Sequence, residues 1–277
     1  MAKNEQPVLL KKRNQIGYIT LNRPEKLNAM RHHDYEILDD MITECDKDDT
    51  IKVIILTGKG KAFSVGDDFE GYTGGPKENL TKKDHYYGLL SQNKYLEAQL
   101  SGFRIPLQKS SLTLMNSGKV CIAALNGVCW APEILYAMDF VIAADVAAIG
   151  QGDIMIGICP GGGATQTLPR LLGRRRAIEF ILRPKQISAQ EAYRIGLVNK
   201  VVPLAQLMPE AEALANELKV YPSSAIKLTK MAITKAQELP LVDGLDLEQW
   251  YMNISVQSEY HKNFAKNFWA KKNSKKK

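Results

Sequence analysis

The sequence predicts an α/β protein in which a mainly parallel sheet is followed by a helical C-terminal region. Three short, continuously apolar runs indicate buried strands, and they are Val53–Thr57, Val120–Leu125 and Phe140–Ala144. Segments with helical spacing separate the predicted strands, and this alternation is typical of parallel pairing with right-handed crossovers. From Pro209 onward the pattern is helical only, so we expect no strand in the last part of the chain.

The N-terminal part begins with a predicted hairpin. Its strands are Val8–Lys12 and Gly17–Leu21, and a turn at Asn14-Gln15 joins them. A loop over Asn22–Asn28 follows. Apolar residues at helical spacing then predict a helix over Arg31–Asp46.

A long connection interrupts the pattern of strands in the middle of the chain. Residues 72–118 are rich in polar residues and contain a predicted helix over Tyr86–Leu100. A connection of this length is either a functional lid or pocket wall, or a surface excursion.

The C-terminal part is predicted to contain three helices, over residues 210–219, 223–238 and 244–272. We therefore divide the chain into a core, residues 1–205, and a helical oligomerisation subdomain, residues 206–277. This subdomain is too small to bury its aromatic residues alone, so a second subunit is expected to cover them. These aromatic residues are Trp250, Tyr251, Phe264, Phe268 and Trp269.

The composition argues against several classes of function. The chain has 277 residues, 45% of them apolar, which is enough for a large core. It has no apolar run near the ~20 residues that span a bilayer and no signal-peptide core, so we expect a cytoplasmic protein with no membrane partner. Much of the net charge of +7 lies in Lys271–Lys277 and Arg174–Arg176, and no nucleic-acid motif accompanies it. The four cysteines lack a C-x-x-C spacing, so neither a metal nor a disulfide is expected.

Two acidic residues are candidates for catalysis. Glu133 and Asp153 lie in segments that are apolar enough to be buried. A buried carboxylate is costly unless it is paired or hydrogen-bonded, so two of them indicate acid–base chemistry. The alternative is that Glu133 only complements a helix dipole and that Asp153 is an ordinary turn residue.

Pro132 predicts the local geometry around the first acid. Because proline suits the first position of a helix, we expect a helix that begins at Pro132 and has Glu133 in its first turn. The backbone N–H groups around Trp130 and Ala131 would then lie at the positive end of the helix. A developing oxyanion can be bound there.

Further motifs occur along the chain in a fixed order and spacing. They are Ile19–Ala29, Ala62–Asp68, Asn126-Gly127 with Glu133 and Asp139, Pro160–Gln166, Leu171–Gly173, Ile187–Ala192 and Gly196–Val198. Together they resemble the crotonase (enoyl-CoA hydratase/isomerase) superfamily over nearly the whole chain. The resemblance implies a spiral of ββα units that carries an acyl-CoA site, and a C-terminal α-helical subdomain that mediates trimerisation. It implies a homotrimer or a homohexamer, an acyl-CoA thioester substrate, no metal, and no cofactor beyond the coenzyme A of the substrate.

The resemblance also implies roles for individual residues. Glu133 and Asp153 match the two acids of the family's hydratases, in which the second acid is more usually Glu. Two backbone N–H groups hold the thioester oxygen, the first from Val65 and the second from Trp130 or Ala131. The substrate- and CoA-binding positions are Lys26, Leu27, Ala62, Ser64, Gly66, Asp67, Asp68, Ala131, Gly161 and Lys266.

Departures from the family pattern affect the expected substrate. The glycine-rich run before the first acid is two residues shorter here, and Trp130 stands where the family has a glycine. The connection over residues 72–118 is also longer. Because these changes alter the acyl pocket and its cover, we expect a cyclic or branched acyl group.

The resemblance leaves more than one reaction open. Hydration of an α,β-unsaturated thioester uses both acids and is our prediction, so we expect a hydro-lyase of the enoyl-CoA hydratase type. The family's simple isomerases generally lack the first acid, and Gly161 stands where its dienoyl isomerases carry an aspartate. A C–C bond hydrolase of a cyclic 3-oxoacyl-CoA would use the same groups. The alternative of another class is a non-catalytic acyl-CoA-binding protein.

Overall fold

The computed structural model describes residues 6–68 and 105–274. The strands of these residues form two sheets. The strands are β1 (Val8–Arg13), β2 (Ile16–Leu21), β3 (Val53–Gly58), β4 (Ala62–Ser64), β5 (Val120–Leu125), β6 (Val128–Trp130), β7 (Phe140–Ala144), β8 (Ala148–Gly150), β9 (Ile187–Ser188) and β10 (Lys200–Val202).

Ten α-helices accompany the strands in the described part of the chain. They are α1 (His32–Lys47), α2 (Pro106–Asn116), α3 (Glu133–Tyr136), α4 (Ala164–Leu172), α5 (Arg174–Leu182), α6 (Ala189–Arg194), α7 (Leu207–Leu218), α8 (Ser223–Lys235), α9 (Leu241–Val256) and α10 (Glu259–Ser274). Within the described residues, no helix is both long enough and apolar enough to cross a membrane.

The larger sheet has the strand order β1-β2-β3-β5-β7-β10. β1 and β2 pair antiparallel around Asn14 and Gln15, whose φ angles of 52° and 68° are those of a tight two-residue hairpin turn. All other neighbours pair parallel. Every residue of β5 is buried, as the apolar run in the sequence predicts for a strand that is covered on both faces.

Helices cover the two faces of this sheet. Successive side chains of a strand point to opposite faces, so Ile54 of β3 joins a core cluster with Leu38 of α1. Ile55 points to the other face and joins a second cluster with Leu207 and Ala211 of α7. α7 therefore belongs to the packing of the core, although it follows the predicted boundary at residue 205.

The smaller sheet has the order β4-β6-β8-β9, and β4, β6 and β8 pair parallel. The chain crosses between the sheets repeatedly. The strand pairs β3 and β4, β5 and β6, and β7 and β8 each contribute their first strand to the larger sheet and their second to the smaller one. This repetition generates a spiral of two-strand units.

One C-terminal prediction is corrected by the structure. The helix predicted over residues 244–272 is two helices, α9 and α10. The side-chain oxygen of Ser258 accepts a hydrogen bond from the backbone N–H of His261, as a residue that caps the start of a new helix does. Apolar spacing alone did not reveal this break.

Two predictions near the site also change. The connection over residues 72–118 contains α2, which begins at Pro106 because proline suits a first helical turn. The helix predicted over Tyr86–Leu100 lies outside the described residues. Pro132 precedes α3 as its N-cap instead of occupying its first position, and α3 has only four residues.

The last helices expose a C-terminal aromatic surface, which we define as Trp250, Phe264, Phe268 and Trp269. Their exposed fractions range from 52% to 69%. The Phe268 ring lies 6.4 Å from the Phe264 ring and 5.5 Å from the Trp269 ring, centroid to centroid. α8 and α9 contain no buried residue. The helical subdomain and its role in trimerisation stay predictions.

Candidate active site

Three parallel strands of the smaller sheet end at one edge. β4 ends at Ser64, β6 at Trp130 and β8 at Gly150. Because neighbouring parallel strands place their carboxyl ends side by side, the segments that follow them meet. These segments are the ones predicted to bind the thioester oxygen and to carry the two acids.

A single buried amide links the two acids. The Nε2 atom of Gln151 donates to Oε1 of Glu133 at 2.7 Å and to Oδ2 of Asp153 at 2.5 Å. Gln151 is fully buried. Since an amide nitrogen carries two hydrogens, one amide serves both carboxyl groups. The structure therefore brings Glu133 and Asp153 together.

Glu133 occupies an apolar environment at the start of α3. It is 3% exposed, and its Oε2 atom has no hydrogen-bond partner among the residues that the structure describes. Burial, and next the negative charge of Asp153, raise the pKa of Glu133 from 4.5 to about 7, while the bond from Gln151 lowers it. Near neutral pH this carboxyl group can either give or take a proton.

Tyr136 fixes the orientation of the Gln151 amide. Its hydroxyl group donates to Oε1 of Gln151 at 3.3 Å, which leaves Nε2 facing the two acids. Burial raises the pKa of Tyr136 well above its ordinary value, so the hydroxyl stays a neutral donor. Sequence reasoning missed both Gln151 and Tyr136. Their signal was the presence of polar groups in two apolar segments that also carry the acids.

Asp153 begins a 3₁₀ helix, Asp153–Ile156, and two residues separate it from the end of β8. It is half-buried, and the apolar residues that follow it, Ile154–Ile156, are exposed. The prediction of a buried segment is therefore confirmed for Glu133 and wrong for Asp153. The two acids thus differ in their access to solvent, although one amide bonds both of them.

A glycine-rich segment closes over the first acid. A Cβ atom at Gly162 would lie 2.9 Å from Cγ of Glu133 and 2.5 Å from Cδ2 of Leu107. Only glycine fits this close approach. The carbonyl oxygen of the preceding Gly161, a predicted acyl-site residue, accepts from Nε2 of Gln108 at 2.6 Å.

The two segments predicted to hold the thioester oxygen are in contact. A Cβ atom at Gly66 would lie 2.7 Å from Cβ of Ala131 and 3.1 Å from the carbonyl oxygen of Trp130. In this structure the N–H group of Val65 donates to the carbonyl of Leu27 at 3.2 Å, and that of Ala131 donates to the carbonyl of Gly150 at 3.3 Å. An oxyanion bound by these two N–H groups would accept from them together with, or instead of, the carbonyl oxygens of Leu27 and Gly150.

Most of the predicted CoA-binding positions lie around one loop. The hydroxyl group of Ser64 donates to the carbonyl of Asn28 at 2.8 Å, and the Nδ2 atom of Asn28 donates to the carbonyl of Ala62 at 2.8 Å. Lys26 and Leu27 directly precede Asn28, and Lys26 is exposed. Asn28, which sequence reasoning did not single out, ties this loop to β4.

Arg23 anchors the same loop on its other side. It donates to Oδ2 of Asp68 at 2.8 Å and to the carbonyl of Ala29 at 2.7 Å. The neighbouring Asp67 forms an isolated parallel bridge with Met30. The predicted positions Gly66, Asp67 and Asp68 are therefore held against the loop by backbone and ionic contacts.

Lys266 is separated in sequence and structure from this group. It is exposed on α10, which packs against α9. Its contact with CoA, which we expect to cross a subunit interface, stays a prediction. Within residues 6–68 and 105–274, no group of three or more acidic, histidine or cysteine side chains could hold a metal ion.

Comparisons with known proteins agree with this architecture. A family model described as enoyl-CoA hydratase/isomerase matches residues 11–275. The chain belongs to this enoyl-CoA hydratase/isomerase family. The predicted membership of the crotonase superfamily is thereby confirmed.

Curated relatives and solved structures give the same result. A short-chain-enoyl-CoA hydratase of Clostridium acetobutylicum is 34% identical over 242 residues, which are 87% of this chain and 86% of the relative. A crotonyl-CoA hydratase of Syntrophomonas wolfei is 31% identical, with 87% and 86% covered. A crystal structure of an enoyl-CoA hydratase from Bacillus anthracis superposes with a TM-score of 0.81 at 28% identity, covering 96% of this chain and 97% of that one. The predicted α/β fold of the crotonase type is confirmed.

Proposed function

We propose that the protein is a hydro-lyase that adds water to the α,β double bond of an enoyl-CoA thioester. The names of the relatives support the reaction class. The observation that carries the proposal is the Glu133–Gln151–Asp153 arrangement, in which two carboxyl groups share one buried amide. An isomerase would need only one of the two acids.

The proposal places the attacking water at Oε2 of Glu133, which has no hydrogen-bond partner within residues 6–68 and 105–274. Water donates one hydrogen to the carboxyl pair and its oxygen bonds to Cβ of the substrate, while the pair delivers a proton to Cα. The pair holds one proton before and after the reaction. Because one amide bonds both carboxyl groups, the proposal assigns the proton work to Glu133 and Asp153 jointly.

The thioester oxygen becomes negatively charged during the attack and needs donors. We assign this role to the backbone N–H groups of Val65 and of Trp130 or Ala131, whose segments touch at Gly66. One such donor typically contributes about 10²–10³-fold to kcat. No metal or further cofactor is required, since coenzyme A is part of the substrate.

The proposed acyl group is cyclic or branched, because the run before Glu133 is two residues shorter than in the family and the connection over residues 72–118 is longer. The proposed assembly is a homotrimer or homohexamer, because the C-terminal aromatic surface is exposed in a single chain. Lys266 would reach CoA only across such an interface.

The test is a panel of acyl-CoA thioesters, both linear and cyclic, followed by mass spectrometry. Hydration adds the mass of one water to an enoyl-CoA. An isomerase would leave the mass unchanged, a C–C hydrolase would add water only to a cyclic 3-oxoacyl-CoA, and a binding protein would change nothing. Each of these three results would overturn the proposal.

Two variants test the assigned acids. Glu133→Gln and Asp153→Asn are each expected to lower kcat by at least about 10²-fold, because acid–base assistance is lost. Glu179→Gln, at an exposed glutamate of α5, is the matched control. If an acid variant retained the turnover of the control, that acid would have no catalytic role.

A further inference from the structure

The indole ring of Trp130 lies against two glycines of the neighbouring segment. A Cβ atom at Gly150 would lie 2.6 Å from Cζ3 and 2.9 Å from Cε3 of the ring. A Cβ atom at Gly152 would lie 3.4 Å from Cε3. Trp130 and Gly150 are register partners of β6 and β8, so the ring extends from one strand across the next.

The two glycines enclose the residue that links the acids. The Cβ positions of Gly150 and Gly152 both lie against the indole, and Gln151 lies between these two glycines. The Gln151 amide bonds both Glu133 and Asp153. The ring therefore contacts the acid-bearing segment on either side of Gln151.

The backbone of Trp130 contacts the other half of the site. Its carbonyl oxygen lies 3.1 Å from the position of a Cβ atom at Gly66, in the segment that follows β4. One residue thus touches the thioester-binding segment through its backbone and the acid-bearing segment through its side chain. A shift of the ring would change the separation between these two segments.

We infer that Trp130 is a positioning residue, whose indole holds the Gly150–Gly152 segment so that the Gln151 amide meets both acids. This inference rests on the proposed hydration. Trp130 acts through Gln151, and its role requires no contact between the indole and the substrate. Gly150 is its obligate counterpart, because any side chain there would displace the ring.

The experiment compares substitutions that all retain the backbone N–H of residue 130. Trp130→Ala is expected to lower kcat about 10-fold or more, because a loosened segment misplaces the acids, while KM changes less than about 3-fold. The inflection of the pH–rate profile that belongs to Glu133 should move upward, because its bond from Gln151 is weakened. Trp130→Phe should have a higher kcat than Trp130→Ala.

Gly150→Ala and Gly152→Ala form a matched pair. Both add one methyl group beneath the same ring, at 2.6 Å in the first case and at 3.4 Å in the second. Gly150→Ala should lower kcat as Trp130→Ala does, and Gly152→Ala should lower it less. The double variant of Gly150→Ala with Trp130→Ala should be no slower than Trp130→Ala alone.

The outcomes separate this inference from the proposed function. If the wild-type protein hydrates no thioester of the panel, the proposed function fails and the catalytic role of Trp130 fails with it. If the wild-type protein is active, and Trp130→Ala lowers only the melting temperature while kcat and the pH inflection stay unchanged, the positioning role alone is overturned. Additive effects of Gly150→Ala and Trp130→Ala on the urea midpoint would overturn the packing itself, with or without turnover. If Trp130→Ala does not fold, the comparison of Gly150→Ala with Gly152→Ala decides. Equal kcat values for these two variants would refute the inference.

Discussion

The buried Glu133 should make the protein less stable as the pH rises, and Glu133→Gln should remove this dependence. A carboxyl group whose pKa is raised by folding contributes stability that is fully present below its ordinary value of 4.5 and is lost as the pH rises through about 7. The two pKa values differ by about 2.5, and one pKa unit corresponds to about 1.36 kcal/mol. The loss is therefore about 3 kcal/mol for a group that is almost completely buried.

Urea unfolding followed by far-ultraviolet circular dichroism measures this quantity. The free energy of unfolding is determined for the wild-type protein and for Glu133→Gln, at about pH 4 and about pH 8 and at one protein concentration. Relative to the wild-type protein, the variant should gain about 3 kcal/mol between the two pH values, since glutamine has no proton to lose. The comparison cancels the titration of the shared groups that do not interact with Glu133.

Glu179→Gln is the control, because it makes the same change at an exposed position of α5. It should follow the wild-type protein at both pH values. If Glu133→Gln and Glu179→Gln showed the same pH dependence, then Glu133 would not be buried in the way that the structure shows. The raised pKa and the acid–base role derived from it would both be refuted.

Other predictions concern the remaining parts of the site and the assembly. Gln151→Met should lower kcat and move the pH inflection of Glu133 further above about 7, because a bond that lowers the pKa of Glu133 is lost. The pH profile of kcat/KM measures this inflection, and an unmoved inflection would show that the amide does not link the acids. Val65→Pro should lower kcat/KM by an amount equivalent to about 3 kcal/mol, because the N–H donor is lost, whereas Val65→Ala should change kcat/KM little. Steady-state kinetics on the folded variants measures both, and equal kcat/KM values would exclude Val65 as a donor. Light scattering at micromolar concentration should give a multiple of the chain mass of 30.9 kDa, and a monodisperse monomer would contradict both the trimer and the shared CoA site.

The sequence alone predicted five of the six strands of the larger sheet and its mainly parallel pairing, whereas β10 and the strand order were not predicted. Short apolar runs such as Val120–Leu125 appear at the same bounds in the structure, because burial on both faces of a strand leaves a purely local signal. The family was also evident from local motifs. Glu133 and Asp153 were singled out as candidate acids by their apolar neighbours, and the structure buries Glu133 but leaves Asp153 half-buried.

Only the tertiary structure showed how these acids are connected. Gln151 and Tyr136 gave no periodic or motif signal, because their roles depend on which side chains meet across β6, β8 and α3. The contact of Trp130 with Gly150 likewise depends on strand register, which joins residues that are distant in sequence. The pattern of apolar residues along the chain can indicate that a strand such as β5 is buried. The partner of a buried polar group depends instead on how strands and helices pack together.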